Sequence, residues 1–389
     1  MRPICFVNAS LEDGLGTLRV VGDRIAGTGM QPQRGDRVVD LGGDRLLPGL
    51  VNAHDHLQFS NFPRTRYRES YENASEWIAD VSANRFRDSL LVAAERLDFG
   101  TRLYIGGLKN LLAGATTVAH HDAFDECLAA PGFPVRVLRQ YGWAHSLAVT
   151  SSREIAASHR ETPAGWPWIV HAGEGIDAVA TAEFDRLEAL GCIDGRTLLV
   201  HALAFDAAQL ERLRVAGAGV IWCPSSNLFL FGCTLDPMPL IAAGRLGLGS
   251  DSRISGARDL LEELEDARHV APDCAGQIEE LVTAGNARLL QLEDRGVLRA
   301  GALADFVVLP AGRALPGMRR NELRMVMVGG ALRYGDSDYA AMLGADTHCV
   351  SAIVDGVPKV LCSAIAERLD ASGWQEPGLE FTDRKWRAA

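Results

Sequence analysis

The chain contains no apolar run long enough to cross a membrane and no excess of basic residues. No apolar stretch reaches the roughly 18 residues that a membrane span requires. The N-terminal MRPICFVNASLEDG lacks a charged start followed by a long apolar core, so we expect no signal peptide. The formal charge of -11 argues against nucleic acid or an anionic membrane as a partner. We therefore predict that the protein binds a small molecule.

Paired cysteines are also missing. The eight cysteines are scattered without a CxxC pair, which is typical of free thiols in a reducing compartment and predicts a cytoplasmic protein. There is no GxSxG elbow, no GxxxxGK[ST] loop, no complete GxGxxG after a strand and no HxE…PCxxC signature. These absences exclude several common hydrolase and nucleotide-binding classes.

Three regions follow one another along the 389 residues. Residues 1–47 and 299–389 contain short β-type runs between turns, whereas residues 48–298 alternate apolar runs with helical stretches. Strands that alternate with helices indicate βα units. We predict a (β/α)8 TIM-like barrel over 48–298, with a β-sandwich formed from both termini. No function is evident for the polar tail, residues 364–389.

One side of this barrel is predicted to be distorted. Fewer than fifty residues separate the end of the AHHD strand from the strand that enters HAGEG. Two βα units need about sixty residues, at roughly thirty each. We therefore expect one degenerate unit on this side.

Polar residues that can bind metal are concentrated where the apolar runs end. Only three of the ten histidines lie elsewhere, and the residues at run ends are His54, His56, His120, His121, His145, His171, Glu174, His201, Asn227 and Asp251. In a strand, side chains alternate with period two, so His54 and His56 share one face. Converging imidazoles joined by a carboxylate suit a divalent metal such as zinc. A lone strand-end histidine is more often a satisfied polar group, but that explanation fits the whole ordered set poorly.

The segments PGLVNAHDH, IVHAGE, LVHA, WCPSSN and LGSDS resemble the amidohydrolase superfamily. Within it they are most similar to the aminohydrolase branch that includes cytosine, guanine and triazine deaminases, and the resemblance spans about residues 3–330. The resemblance implies a mononuclear site of the following composition: metal ligands His54, His56, His171 and Asp251; catalytic residues Glu174, His201 and Asp251; and Asn227 in the CPxSN turn.

The scarcity of lysine restricts the kind of metal site. Many members of the superfamily bridge two metals with a carbamylated lysine at a strand end, but the lysines here are Lys109, Lys359 and Lys385. Lys109 falls in a helical stretch and the other two fall in the C-terminal region. We therefore predict one divalent ion, zinc, with iron as the alternative.

These residue types can support hydrolysis at a carbon–nitrogen bond. A divalent metal lowers the pKa of bound water to around 7. Asp251 is then placed to accept the proton of that water, His201 to orient it, and Glu174 to protonate a ring nitrogen and the leaving amine. The predicted reaction is release of ammonia from an amino-substituted N-heterocycle of the pyrimidine, purine, pterin or triazine type.

Substrate contacts are less sharply defined by the sequence. Gln58, His121 and His145 lie at or just beyond strand ends, as Asn227 does, and each is a candidate substrate-binding residue or a loop hydrogen-bonding group. Residues 59–77 form an aromatic-rich insertion that either covers the site or is a surface loop with its own small core.

Three alternatives stay open from the sequence. The same metal site would serve a ring-opening amidohydrolase of the imidazolonepropionase kind or a triazine-type hydrolase. A non-catalytic binding protein on the same fold is the remote alternative. We also expect a homo-oligomer.

Overall fold

The computed structural model describes residues 2–345 and 348–382. Its strands are β1 (Ile4–Leu11), β2 (Gly14–Val21), β3 (Arg24–Thr28), β4 (Arg37–Asp40), β5 (Arg45–Pro48), β6 (Leu50–Asp55), β7 (Ala115–His120), β8 (Arg136–Val137), β9 (Gly142–Ser146), β10 (Trp168–Ala172), β11 (Thr197–His201), β12 (Gly219–Trp222), β13 (Leu246–Leu248), β14 (Phe306–Leu309), β15 (Met325–Val328), β16 (Ala331–Gly335), β17 (Cys349–Val354), β18 (Val357–Cys362) and β19 (Leu379–Phe381).

The helices lie mainly between the central strands. They are α1 (Ala74–Asn84), α2 (Ser89–Glu95), α3 (Phe99–Leu112), α4 (Ser152–Glu161), α5 (Ala178–Thr181), α6 (Glu183–Ala189), α7 (Ala207–Ala216), α8 (Pro224–Phe231), α9 (Met238–Ala242), α10 (Leu260–Val270), α11 (Ile278–Glu280), α12 (Asn286–Leu289), α13 (Ser337–Leu343) and α14 (Ser363–Ser372). Over residues 2–345 and 348–382, none of them has the length and apolarity that a membrane crossing requires.

Local sequence explains where helices of the central region begin and end. Helix α4 starts with a capping box in which Ser151 and Glu154 satisfy each other's backbone N–H groups. Helix α7 starts with the equivalent pair, Asp206 and Gln209, and ends at Gly217, whose φ of 78° is left-handed. Side-chain caps of this kind satisfy the N–H groups that a helix leaves unpaired at its start.

Both ends of the chain build one β-rich unit. Strands β1–β5 and β14–β19 form a continuous sheet in the order β19-β17-β18-β16-β15-β14-β5-β1-β2-β3, with β4 paired to β1. The two halves meet where β14 runs antiparallel to β5, so that Phe306 lies opposite Pro48. The rings of Phe6 and Phe306 pack edge to face in the core of this unit, with centroids 5.1 Å apart. The terminal strands are therefore hydrogen-bonded into a single sheet.

The eight central strands are parallel and form two sheets. Strands β6-β7-β8 form one sheet, and β13-β12-β11-β10-β9 form the other. An isolated parallel bridge between Asp55 and Asp251 links β6 to the segment after β13. Every residue of β6, β7 and β10–β13 is buried, because parallel strands are covered on both faces.

The other junction, between β8 and β9, is irregular. Strand β8 has only two residues, and no helix separates it from β9 within the part of the chain that the structure describes. No ladder joins β8 to β9 among these residues. This is the side on which the short spacing between AHHD and HAGEG predicts a degenerate unit.

Residues 59–77, called the strap from here on, cross the ends of the central strands. The N–H of Thr65 donates to the carbonyl of Ile254, and the N–H of Tyr71 donates to the carbonyl of Leu230. A third bond joins the carbonyl of Glu72 to the N–H of Ile176. The strap is thus tied to the segments that follow β13, β12 and β10.

The C-terminal segment contacts the same end of the central strands through a buried ion-pair cluster. Glu376 accepts two hydrogen bonds from Arg253, at 2.7 and 3.0 Å, and one from Arg320 at 2.9 Å. Arg253 lies two residues after Asp251 and also donates to the carbonyl of Ser60. The polar tail, for which the sequence indicates no function, is therefore tied through Glu376 to the loop that carries Asp251. Residues 383–389 of that tail lie outside the described residues.

We expect Glu376→Ala to lower the free energy of unfolding by about 3–5 kcal/mol, because it leaves the buried guanidinium groups of Arg253 and Arg320 without their shared carboxylate. Guanidinium chloride unfolding checks this value. The matched control is Glu380→Ala, which removes an exposed carboxylate four residues away and should change stability by less than about 0.5 kcal/mol. Equal effects of the two substitutions would contradict a structural role for the cluster.

Candidate metal and catalytic site

Three histidines and one aspartate converge at the carboxyl ends of the central strands. His54 lies in β6, His56 directly follows it, His171 lies in β10, and Asp251 follows β13. The Nε2 atoms of His56 and His171 are 3.2 Å apart. Oδ1 of Asp251 is 3.6 Å from Nε2 of His54 and 3.9 Å from Nε2 of His56. Residues separated by up to 197 positions in the chain therefore direct donor atoms to one point.

The chemistry of these donors fits a divalent metal. Burial lowers the pKa of His56 and His171 well below the usual value, which keeps both imidazoles neutral. Although burial opposes ionisation of Asp251, the adjacent imidazoles of His54 and His56 hold its pKa well below the usual range. Nε2 of His54 is buried and has no hydrogen-bond partner in the described part of the chain. Neutral imidazoles beside a carboxylate are the ligand set of zinc and related ions.

A second histidine arrangement competes with this set. One nitrogen from each of His54, His56, His121 and His171 lies within 4.8 Å of the others. However, Nε2 of His121 is 3.0 Å from the carbonyl of Ala144 and its Nδ1 is 3.2 Å from Nδ1 of His54. Because both nitrogens of His121 already face protein groups, we favour Asp251 as the fourth ligand.

The backbone around Asp251 is held in an uncommon conformation. Asp251 has a φ of 51°, and its N–H donates to the carbonyl of His54 at 3.1 Å. Ser255 donates to Oδ2 of Asp251 at 2.7 Å. A Cβ on Gly249 would lie 2.6 Å from Cβ of His54, so only glycine permits this close approach of the two segments. No sequence motif identifies Ser255 as a partner of Asp251, and its position four residues after Asp251 is the only indication.

His201 and Glu174 face each other beside the ligand cluster. Nδ1 of His201 is 2.9 Å from Oδ1 of Asn227, and Nδ2 of Asn227 donates to Thr234 at 3.1 Å, which fixes the orientation of the amide. His201 therefore carries its proton on Nδ1 and turns Nε2 toward Oε1 of Glu174, 3.5 Å away. Burial lowers the pKa of His201 to about 4.

Glu174 is surrounded so that its acid form is favoured. Burial, together with the carboxylates of Asp251 and Glu183, raises its pKa well above the usual value. Glu183, the first residue of α6, accepts a hydrogen bond from the N–H of Gly173 at 2.8 Å and so holds the turn that carries Glu174. No sequence motif identifies Glu183 as a residue that supports this turn.

Asp55, between the two histidines of β6, points to the other side of the strand. Its Oδ2 is 2.8 Å from Nζ of Lys109 in a completely buried ion pair, and it accepts a hydrogen bond from Asn110 at 2.7 Å. Lys109 is therefore engaged behind β6 by Asp55. This arrangement is compatible with a single metal ion.

The candidate substrate contacts lie at different places around the site. Gln58 donates to Asp122 at 2.7 Å, whereas its buried Oε1 has no partner among the described residues. Nδ1 of His145 is 3.3 Å from the hydroxyl of Ser146, and its ring centroid is 4.9 Å from that of His171. Asn227 contacts His201, as described above. Their roles toward a substrate stay predictions.

Two cavities border the site. A space of about 20 Å³ is lined by His171, Glu174 and Glu183, and by strap residue Asn73. A much larger cleft of about 780 Å³ lies between the strap, α2, the segment after β13 and Trp374, and the ligand histidines do not line it. Of these two spaces, the smaller one is lined by both Glu174 and His171, and the larger one by neither.

A model of the amidohydrolase family matches residues 149–333. The chain is 25% identical to the 5-methylthioadenosine/S-adenosylhomocysteine deaminase of Nitratidesulfovibrio vulgaris strain DP4, over 85% of this chain and 89% of that protein. It is also 25% identical to the 8-oxoguanine deaminase of Pseudomonas aeruginosa, over 91% of this chain and 98% of that protein.

Solved structures agree with these sequence relatives in fold. Atrazine chlorohydrolase from Arthrobacter aurescens TC1, complexed with zinc, superposes with a TM-score of 0.70 at 17% identity, covering 88% of this chain and 99% of that one. The chain is thus similar to the amidohydrolase family over residues 149–333, and the two curated relatives named above are deaminases. The resemblance predicted from the HxH, HxxE, His and SD motifs is confirmed.

A buried glutamate supports the helix that carries Asn227. Glu263 of α10 is completely buried and accepts a hydrogen bond from the N–H of Ser225 at 2.8 Å. Its second oxygen has no partner among the described residues. Burial raises the pKa of Glu263 to about 8, so the folded protein holds a proton that the unfolded chain releases near pH 4.5.

We expect Glu263→Gln to gain stability relative to the unsubstituted protein as the pH rises from about 4.5 to 8. A folded-state pKa above the unfolded value gives stability that is complete below the unfolded pKa and is lost as pH rises toward the folded pKa. The neutral amide keeps an acceptor for Ser225 and has no proton to lose. Urea unfolding at four pH values measures the difference, with exposed Glu293→Gln as the control; a difference independent of pH would contradict the buried-acid assignment.

Proposed function

We propose that the protein is a metal-dependent hydrolytic deaminase that releases ammonia from an amino-substituted N-heterocycle. The observation that carries this proposal is the position of Glu174, a carboxyl group with a raised pKa, beside His201 and the cluster of ligand nitrogens. A carboxyl group with a raised pKa is suited to protonate a ring nitrogen as a general acid. The deaminases among the relatives support the same reaction class.

The donor set proposed for the metal is His54, His56, His171 and Asp251. A divalent ion held by these residues would lower the pKa of water to about 7 and so would supply a nucleophile at neutral pH. We assign this ion as zinc, with iron as the alternative.

The protein groups around this site divide the proton transfers between them. Asp251, ionised because of the adjacent histidines, accepts a proton from the attacking water. His201, with its proton held on Nδ1 by Asn227, orients that water through Nε2. Glu174 donates its proton to the ring nitrogen, takes up the hydroxyl proton of the resulting adduct and delivers it to the amine, which leaves as ammonia when the C–N bond breaks. The proton that Asp251 accepted from water then restores the acid form of Glu174. Gln58 is proposed as a substrate contact because its Oε1 is buried and unpaired within the described residues.

The size of the space beside Glu174 bears on how substrate enters. A volume of about 20 Å³ is on the scale of one water molecule, which needs a cavity of roughly 10–15 Å³. It is too small for a heterocycle. We therefore infer that the strap moves outward at Asn73, together with Ile78 of α1, when substrate binds, and that the strap then covers the ring.

Two hydrolytic alternatives use the same residues. A ring-opening amidohydrolase would produce a new carboxylate without ammonia, and a triazine-type hydrolase would release chloride or an amine. Glu174 favours deamination, because a carboxyl group with a raised pKa can act as the general acid when an amidine-like carbon loses ammonia. A non-catalytic binding protein would have no need for a carboxyl group with this raised pKa.

Several broader features are part of the same proposal. The parallel strands β6–β13 are inferred to close into a distorted TIM-like barrel over residues 48–298, and residues 1–47 and 299–389 to form the β-sandwich domain. The position of β5 immediately before β6 supports the first boundary.

A cytoplasmic location and a homo-oligomeric state are inferred from the sequence. Light scattering of the purified protein tests the oligomeric state.

We expect His171→Ala to lose turnover and to lower bound metal from about one ion per chain to near zero, because one of the converging nitrogens is removed. Plasma emission spectrometry of purified protein measures the metal content. His348→Ala removes an exposed histidine and should leave the metal content unchanged. A His171→Ala protein with a full complement of metal would exclude His171 as a ligand.

Glu174→Gln should retain the metal while kcat falls by about 10²–10⁴-fold, since the amide cannot donate a proton in the way that the acid does. Ammonia release is followed with a glutamate dehydrogenase coupled assay over aminopyrimidines, aminopurines, pterins and triazines. The control is Glu161→Gln, at an exposed position at the end of α4. Near-full activity of Glu174→Gln, or a carboxylate product without ammonia, would overturn the deaminase proposal.

A further inference from the structure

His121 is a buried histidine to which the proposed reaction gives no task. It directly follows β7 and is 1% exposed. Its ring meets that of His54 edge to face, with centroids 5.0 Å apart. The contact is made by the Nδ1 atoms of the two rings, 3.2 Å apart, so His121 faces the edge of His54 that is turned away from Nε2 and Asp251.

The second nitrogen of His121 determines which ring atoms carry protons. Nε2 of His121 is 3.0 Å from the carbonyl oxygen of Ala144. A carbonyl oxygen can only accept, so this nitrogen must carry a hydrogen. In a neutral imidazole the other nitrogen is then an acceptor, which places a lone pair on Nδ1 of His121. His54 must therefore donate from its own Nδ1, and its Nε2 is left unprotonated.

This result agrees with an independent feature of His54. Nε2 of His54 is buried, lies 3.6 Å from Oδ1 of Asp251 and has no hydrogen-bond partner in the described chain. A buried polar atom without a partner is costly unless something else satisfies it. The atom that the hydrogen-bond chain leaves unprotonated is thus the atom that needs a ligand.

Strand β9 orients a second metal ligand in the same way. The carbonyl of His145 accepts a hydrogen bond from Nδ1 of His171 at 2.7 Å, so Nε2 of His171 is also left unprotonated. Consecutive carbonyls of one strand, from Ala144 and His145, therefore serve two different histidines. The pairing of β9 with β10 shifts register at this point, where His171 lies opposite Ser146. Irregularities of this kind redirect backbone groups beside functional sites.

We propose that His121 is a positioning residue that relays the Ala144 carbonyl to His54 and so fixes the tautomer in which Nε2 of His54 binds the metal. The proposal rests on the proposed function only in taking His54 as a metal ligand. It concerns the position of a proton within neutral rings and not a change of charge. Groups that hydrogen-bond to metal-ligating histidines commonly contribute 10–100-fold to metal affinity.

Two substitutions at His121 separate this role from simple packing. His121→Gln keeps one donor for Ala144 and one acceptor for His54, whereas His121→Leu keeps apolar volume and provides neither. We expect the Zn²⁺ dissociation constant of the metal-free protein to rise by about 10–100-fold for His121→Leu and by less than threefold for His121→Gln. Competition with a chromophoric chelator measures both constants without reference to activity.

Unchanged zinc affinity in His121→Leu would overturn the proposal. Equal losses in both variants, with one imidazole fewer in the zinc X-ray absorption spectrum of His121→Gln, would also overturn it, because His121 would then be a ligand itself. Should His121→Leu fail to fold, the unsubstituted metal-free protein still decides. Its ¹⁵N-resolved histidine spectrum should show His54 protonated at Nδ1, and protonation at Nε2 would refute the relay.

The failure of this inference is distinguishable from the failure of the proposed function. A protein that binds zinc tightly and shows the expected His54 tautomer, yet releases no ammonia from any heterocycle tested, contradicts deamination and leaves the relay intact. A protein that deaminates a heterocycle but whose zinc affinity is unaffected by His121→Leu contradicts the relay alone.

Discussion

Several buried imidazoles must stay neutral and must turn unprotonated nitrogens toward one point, and the rest of the site depends on this requirement. Burial supplies the first part, because desolvation lowers the pKa of His56 and His171. Hydrogen-bond acceptors on the far side of individual rings contribute to the second. His171 has a backbone carbonyl and His201 has the amide oxygen of Asn227. A histidine without such an acceptor could place its proton on the atom that has to bind the metal.

The same requirement accounts for the irregular side of the central sheet. Regular parallel strands use their carbonyls in ladders, so few remain to accept from side chains. Strand β9 breaks its register with β10 at His145 and follows β8, which has only two residues. The break makes carbonyls available at Ala144 and His145, within reach of His121 and His171. The loss of a regular βα unit on this side is therefore compatible with a gain in control over the ligands.

Much of the fold, and the convergence of the candidate ligands, could be predicted from sequence, for physical reasons. A period of two along β6 puts His54 and His56 on one face, and apolar runs that end in polar residues identify the carboxyl ends of parallel strands. The contributions of Ser255, Glu183 and Glu376 could not be predicted in this way. Each acts through a contact that depends on how distant or irregular segments pack, and neither periodicity nor spacing encodes such a contact. Lys109 shows the same limit, since its helix was evident from the sequence but its buried partner Asp55 was not.

The segment after β13, which carries Asp251, is held by contacts with several distant parts of the chain. Asp251 adopts a left-handed backbone conformation, and such conformations cost of order 1–3 kcal/mol and persist only where the surroundings enforce them. The bond from its N–H to His54 holds one side, and Arg253 holds the other through Ser60 and Glu376. Because Glu376 also binds Arg320 of the β-rich unit, that unit contributes to the position of Asp251, the proposed fourth ligand. The ion pairs of Glu376 thus join the β-rich unit to the strained loop and help to enforce the geometry of that loop.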